Sequence, residues 1–153
     1  MLEIKSASQK EIYIIKKLIK ESNLDIEEIE DYIKNCMVAY DNKQPVAAAG
    51  FIPIEDMAII KFVVVSKNRR REYLGDGIVK AILNLADKMG IKKVFVNTDK
   101  EEQFFIKLGF KEVALEELKK DCSKGHIINQ LNEKKLLYVA LPDYFLKACK
   151  FHK

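Results

Sequence analysis

The chain has 153 residues, 48% of them hydrophobic and 33% charged, with a net charge of +4. That is long enough to bury a core without staples and ordinary for a globular domain. No apolar run nears the roughly 20 residues a bilayer span needs, the start "MLEIKSASQKEIYIIKKLIK" threads charge through its apolar positions and so does not read as a secretory leader, and the three scattered cysteines (Cys36, Cys122, Cys149) lack the spacing of a disulfide framework or a zinc site. One domain over 1–153, in a reducing cytoplasm, with no metal and no membrane partner, is the expectation.

In chain order, Leu2 to Lys5 alternates like a short strand. Ser8 stands three residues before Glu11, the spacing of a capping box, and Ile12, Ile15, Leu18 and Ile19 then mark one helical face. "DIEEIEDYIKN" predicts a second helix capped by Asp25, with Ile26, Ile29 and Ile33 sharing a face. "CMVAYDNKQPVAAAGFI" predicts a hairpin turning at residues 41–45. Residues 58–65 are apolar and β-branched except for Lys61, which predicts a buried strand.

From Leu74 to Met89 the positions Ile78, Ile82, Leu85 and Met89 recur at helical spacing, and Gly90 supplies the stop. "KKVFVNT" predicts a strand, "EEQFFIKL" a short helix capped by Gly109, and "FKEVAL" another strand. This passage needs two parallel strands with a crossover helix. "KLLYVAL" predicts a last strand, able either to complete the sheet or to supply the edge of a homodimer, and "DYFLKACKFHK" a helical or frayed tail. The fold class is therefore α+β: a mixed central sheet, antiparallel at first and parallel at its centre, flanked by helices.

The net charge conceals an asymmetry. Residues 1–56 carry 7 Lys/Arg against 11 Asp/Glu, and residues 57–153 carry 20 against 12. A basic half attracts polyanions, whether nucleic acid or a nucleotide-containing small molecule. The basic residues are spread over surface-helix positions with no aromatic-interleaved run, which favours the small molecule, and no nucleic-acid partner is expected.

The joint "NRRREYLGDG" between the buried strand and the helix at 74 concentrates Arg69, Arg70 and Arg71 with Gly75 and Gly77. A strand turning directly into a helix aims the unpaired N–H groups and the positive end of the helix dipole above the joint, which makes an anion site. A solvated basic loop would use the same residues, and the loop alone leaves the two readings open.

The wider pattern resembles motif A of the GNAT superfamily of acetyl-CoA-dependent N-acetyltransferases, whose signature Gln/Arg-x-x-Gly-x-Gly/Ala is met here by Arg70-Arg71-Glu72-Tyr73-Leu74-Gly75, with Tyr73 in place of the central glycine. "EEQFFIKLGFKEV" is similar to the family's second motif, and "VAYDNKQPVAAAGF" and "AIIKFVVV" look most like the N-acetylglutamate-synthase-like, amino-acid-acetylating branch. The resemblance runs from Leu2 to Val113 in element order, with its motifs in residues 58–113. It implies direct acetyl transfer from acetyl-CoA to a primary amine of a small molecule. It also implies a cofactor site made of Val63, Val64 and Val65, of Arg70, Arg71, Glu72, Tyr73, Leu74, Gly75 and Asp76, and of Phe104 and Phe105.

The family's usual general acid is a tyrosine whose counterpart is Phe105, which has no proton to give. The resemblance puts the acceptor amine near Glu55 and Asp56, the candidates for a base, and Lys61 in the place of an arginine that binds the acceptor's carboxylate. Lys61 equally fits a lysine snorkelling from the sheet edge, and Cys36, in a buried strand, reads as core. A protein-amine acetyltransferase and a non-catalytic CoA-binding module are the alternatives.

Overall fold

A computed structural model describes residues 2–24, 26, 28–69, 73–98, 101–117, 135–141 and 144. The predicted tail apart from Tyr144, and Asp25, Arg70, Arg71, Glu72, Cys122, Cys149, His126 and His152, lie outside them. The strands are β1 (Leu2–Ser6), β2 (Cys36–Asp41), β3 (Gln44–Ile54), β4 (Met57–Val65), β5 (Lys93–Thr98), β6 (Lys111–Glu112) and β7 (Lys135–Ala140), and the α-helices are α1 (Ile12–Glu21), α2 (Leu74–Lys88) and α3 (Glu102–Lys107). The sheet has the order β1-β2-β3-β4-β5-β7-β6 and is mixed, with one parallel pair among antiparallel ones, as the α+β reading expects. Among the described residues no helix is long and apolar enough to cross a membrane.

The chain divides into two compact units, one of Met1–Ile52 with Ile60–Ala86, the other of Pro53–Ile59 with Asp87–Lys153. In the first, Ser8 and Glu11 form the predicted capping box, the Ser8 N–H donating to the Glu11 carboxylate at 2.9 Å, over a 3-10 turn that leads into α1. Ile15, Leu18 and Ile19 are buried, and α1 ends on Asn23 at φ 58°, a left-handed position that asparagine tolerates. The second predicted helix is shorter than its pattern. It is 3-10 over Ile29–Asn35, broken by a kink at Tyr32 (φ −135°), and is preceded by Glu28 at φ 62° without a side-chain cap. Ile29, Tyr32 and Ile33 are buried there, and Ile26 packs against the same core from outside the helix.

The hairpin turn is also tighter than its composition suggested. Asn42 and Lys43 alone make it, both at positive φ (51° and 70°), the geometry that matches strand twist. Gln44 and Pro45 therefore belong to β3, and the register slips by one between Ala39 and Tyr40, opposite Pro45, which has no N–H for the ladder. Gly50 is obligatory on β3, because a Cβ there would lie 2.6 Å from Cys36 Sγ and 2.8 Å from Phe62 Cε1. In α2 the buried stripe is Leu74, Ile78, Val79, Ile82, Leu83 and Ala86, whereas Leu85 is only half-buried and Met89 exposed. The core stripe is thus rotated toward Val79 and Leu83, a second apolar row that the 78-82-85-89 pattern omits.

In the second unit β5 and β7 pair antiparallel, Val96 opposite Leu137 and Phe95 opposite Tyr138, whose rings stack at 5.9 Å. The predicted strand 110–115 shrinks to Lys111–Glu112, which pairs with β7. Lys135 ties this edge to α3 through Glu112 (2.9 Å) and Glu102 (3.5 Å).

Candidate functional site

The joint is built from two ends. Its first end leaves β4 by a 3-10 turn, Lys67–Arg69, closed by the Arg69 N–H donating to the Ser66 carbonyl at 2.9 Å. Two contacts fasten this turn to the β2–β3 hairpin. The Ser66 N–H donates to the Val46 carbonyl at 2.8 Å, and the Arg69 guanidinium pairs with the Asp41 carboxylate. That guanidinium holds the Asp41 carboxyl below the usual carboxylate range.

The second end is Tyr73. Its carbonyl accepts the first helical bond of α2, from the Gly77 N–H at 3.1 Å, so the N–H groups of Leu74, Gly75 and Asp76 stand outside the helical ladder. Tyr73 has φ 61° and its side chain is 85% exposed. The position that a glycine holds in motif A therefore adopts the left-handed conformation glycine would supply, and the ring projects into water. Leu74 beneath it is buried, and Gly75 and Asp76 are half-buried.

A helix of 15 residues presents about half a positive charge at this end. Its own first-turn carboxylate, Asp76, is drawn along the helix by Lys80, whose ammonium lies 3.1 Å from Oδ1 and donates to Oδ2 at 3.3 Å. Among the described residues Oδ1 accepts no hydrogen bond, and the Lys80 ammonium is its charge partner. A phosphate or pyrophosphate fits a donor set of this kind.

Along β4 the side chains separate by period 2. Phe62 and Val64 enter the core that contains Ile15, Leu18, Ile29 and Tyr32, whereas Lys61, Val63 and Val65 share the other face and are half-buried. Of the cofactor triplet predicted at 63–65, Val63 and Val65 thus stand on the partly open face with Lys61, and Val64 does not. No ion pair engages Lys61 among the described residues.

Phe104 and Phe105 belong to the second unit. Phe105 is buried, edge-on to Phe104 (5.0 Å) and to Phe110 (5.2 Å), and Phe104 is half-buried. Glu55 and Asp56 form the tight β3–β4 turn, with Glu55 at φ 57°. The Asp56 carbonyl accepts the Lys92 N–H at 2.7 Å, and its exposed carboxylate is 4.0 Å from the Lys92 ammonium. Among the described residues, no group of three His, Cys, Asp or Glu side chains is placed to hold a metal ion.

Sequence reasoning missed Asp41. The signal was present, since an acidic residue directly before an Asn-Lys turn ends a strand and faces whatever crosses the hairpin, but nothing in the linear pattern connects it to Arg69. It missed two buried hydroxyls as well: Tyr32 and Thr98 have no hydrogen-bond partner among the described residues, and burial pushes the Tyr32 phenol well above its ordinary pKa.

The family model for the acetyltransferase (GNAT) domain matches residues 33–112, which include the whole joint. No curated protein sequence matches significantly. Among solved structures, the fold is similar to N-acetylglutamate synthase from Neisseria gonorrhoeae complexed with coenzyme A and N-acetyl-glutamate (TM-score 0.77, 21% identity, 92% of this chain and 35% of that one). It is also similar to Rv2747 from Mycobacterium tuberculosis in complex with CoA and NLQ (0.71, 17%, 90% and 98%), and to an acetyltransferase of the GNAT family from Staphylococcus aureus Mu50 (0.69, 16%, 92% and 99%). The chain thus spans about a third of the length of the synthase. At these identities the likeness is one of fold.

Proposed function

The chain belongs to the acetyltransferase (GNAT) domain family, and from that premise we propose that it is an acetyl-CoA-dependent N-acetyltransferase acting on a primary amine of a small molecule, an amino acid being the first candidate. The carrying observation is the joint: a 15-residue helix whose first N–H groups stand outside the ladder, led by a residue at φ 61° in the glycine position of the family motif. Four of the structures that resemble it are described as complexed with coenzyme A, which supports the same ligand.

Acetyl-CoA brings an activated acyl group, which moves as the amine nitrogen forms a C–N bond and the C–S bond breaks, with one proton lost from nitrogen and one gained by sulfur. The N–H groups of Leu74, Gly75 and Asp76, with the charge of Arg70 and Arg71, hold the pyrophosphate. Backbone groups of residues 63–65 line the arm. Lys61, half-buried on the Val63–Val65 face, holds an anionic group of the acceptor. A base from the Glu55–Asp56 turn takes the amine proton. Phe105 gives no proton, so the sulfur is protonated from water or from another residue. The setting is the cytoplasm, in keeping with three unpaired-spacing cysteines.

One observation favours a second reading. A buried phenylalanine at the family's acid position suits a module that binds CoA without turnover. Calorimetry with CoA and acetyl-CoA, beside free-thiol release against pooled amino acids and polyamines, separates the two. Turnover establishes the enzyme, binding alone favours the module, and no binding refutes both. Arg70→Ala and Gly75→Val should weaken CoA binding with the fold intact.

A further inference from the structure

Three adjacent arginines suggest three phosphate ligands, but Arg69 is already engaged. Its guanidinium pairs with Asp41, and the two side chains are only 31% and 19% exposed. Asp41 is well fixed: it ends β2, pairs with Leu2 of β1 on one side and Gln44 of β3 on the other, and precedes a turn whose two residues both need positive φ. On the Arg69 side, the 3-10 turn is pinned by its own Ser66 bond and by the Ser66 to Val46 bond. The first end of the joint is therefore clamped to the hairpin twice, once through backbone and once through this ion pair.

We propose that Arg69 is a positioning residue rather than an anion ligand: by pairing with Asp41 it fixes where the joint begins, and so where the helix N-terminus presents its donors to the acyl-CoA phosphates. The inference rests on the acyl-CoA reading above. A guanidinium suits the task because its planar donor fork keeps one orientation against a carboxylate. The pair is local to the joint and the hairpin, so its loss should register in cofactor affinity before it registers in the fold.

The test compares Asp41→Asn, Arg69→Met, their combination and Arg69→Lys. It uses calorimetric CoA affinity, the acetyl-CoA KM and kcat for whichever amine is turned over, and thermal unfolding. Positioning predicts that Asp41→Asn, which removes no cation, weakens CoA binding about fivefold to tenfold, that Arg69→Met does the same, and that the combination does no more than either. It predicts a raised KM with kcat retained, partial recovery in Arg69→Lys, and unfolding midpoints close to wild type. Direct ligation predicts the opposite sign at Asp41, since a freed arginine would bind CoA as well or better. That result, or unchanged affinity in both single variants, overturns the proposal. If the wild-type protein binds no CoA, the acyl-CoA reading itself fails, an outcome the variants play no part in.

Discussion

Replacing Tyr73 by alanine and by glycine gives two proteins whose order of stability reports the backbone at the joint. The ring is 85% exposed, so removing it forfeits little buried surface and Tyr73→Ala should be close to neutral. Alanine keeps the left-handed strain, which for a residue with a Cβ costs about 1–2 kcal/mol. Glycine relieves that strain but loses about 0.5–1 kcal/mol to the greater freedom of its unfolded chain. At φ 61° the difference favours Tyr73→Gly over Tyr73→Ala by about 0–1.5 kcal/mol. At negative φ only the entropy difference would operate, and alanine would be the more stable by a similar amount. Urea unfolding of the three proteins, with equal m-values, measures this directly. An alanine variant more stable than the glycine variant refutes the left-handed joint. Since neither change removes an N–H group from α2, CoA affinity in Tyr73→Gly should stay within about twofold of wild type.

Gly50→Ala should destabilise the protein by about 1–3 kcal/mol, because its Cβ has no room between Cys36 Sγ and the Phe62 ring; denaturant unfolding checks it, and a loss below about 0.5 kcal/mol would contradict that packing. Burial pushes the Cys36 thiol up to about 12, so alkylation at neutral pH, mapped by mass spectrometry, should leave Cys36 unmodified in the folded protein and modify it fully in denaturant. The Ser8 hydroxyl holds the Glu11 carboxyl below the usual range. The resulting stabilisation is complete above the ordinary carboxylate pKa and is lost as pH falls through the lowered folded value. Ser8→Ala should cost about 1 kcal/mol near pH 7 and flatten the acid limb of the stability profile in that window.

Most of the element order was legible because it rests on local periodicity. The capping box at Ser8, the strand at 93–98 and the glycine stop at Gly90 all follow from spacing alone, and Gly90 indeed sits at φ 83°. The errors arose where tertiary demands override a local pattern. Glu28 enters the left-handed region, which no continuous helix passes through, and Ile29–Asn35 coils as 3-10 around a kink at Tyr32. Pro45 was counted as turn, but the two-residue turn at 42–43 leaves it in the strand, where the slipped register accommodates its missing N–H. In the site, the joint was visible as composition and glycine spacing, and the left-handed Tyr73 was posed by the motif's missing glycine. The Arg69–Asp41 pair spans 28 residues of sequence, and no periodicity reaches that far.

The end of α3 holds a very short helix in place. Gly109 at φ 107° lets the Phe110 N–H reach back to the Phe105 carbonyl (3.0 Å) and the Gly109 N–H to the Ile106 carbonyl (3.0 Å), while the Phe110 ring meets the Phe105 ring. A helix of six residues has little stability of its own, so this lock carries the element. Residue 105 is thereby held from the main chain as well as by its ring. It works as a clasp: the chain reversal at Gly109 and the edge-on rings of Phe105 and Phe110 close the same short loop from both sides, so that loosening either would free the other.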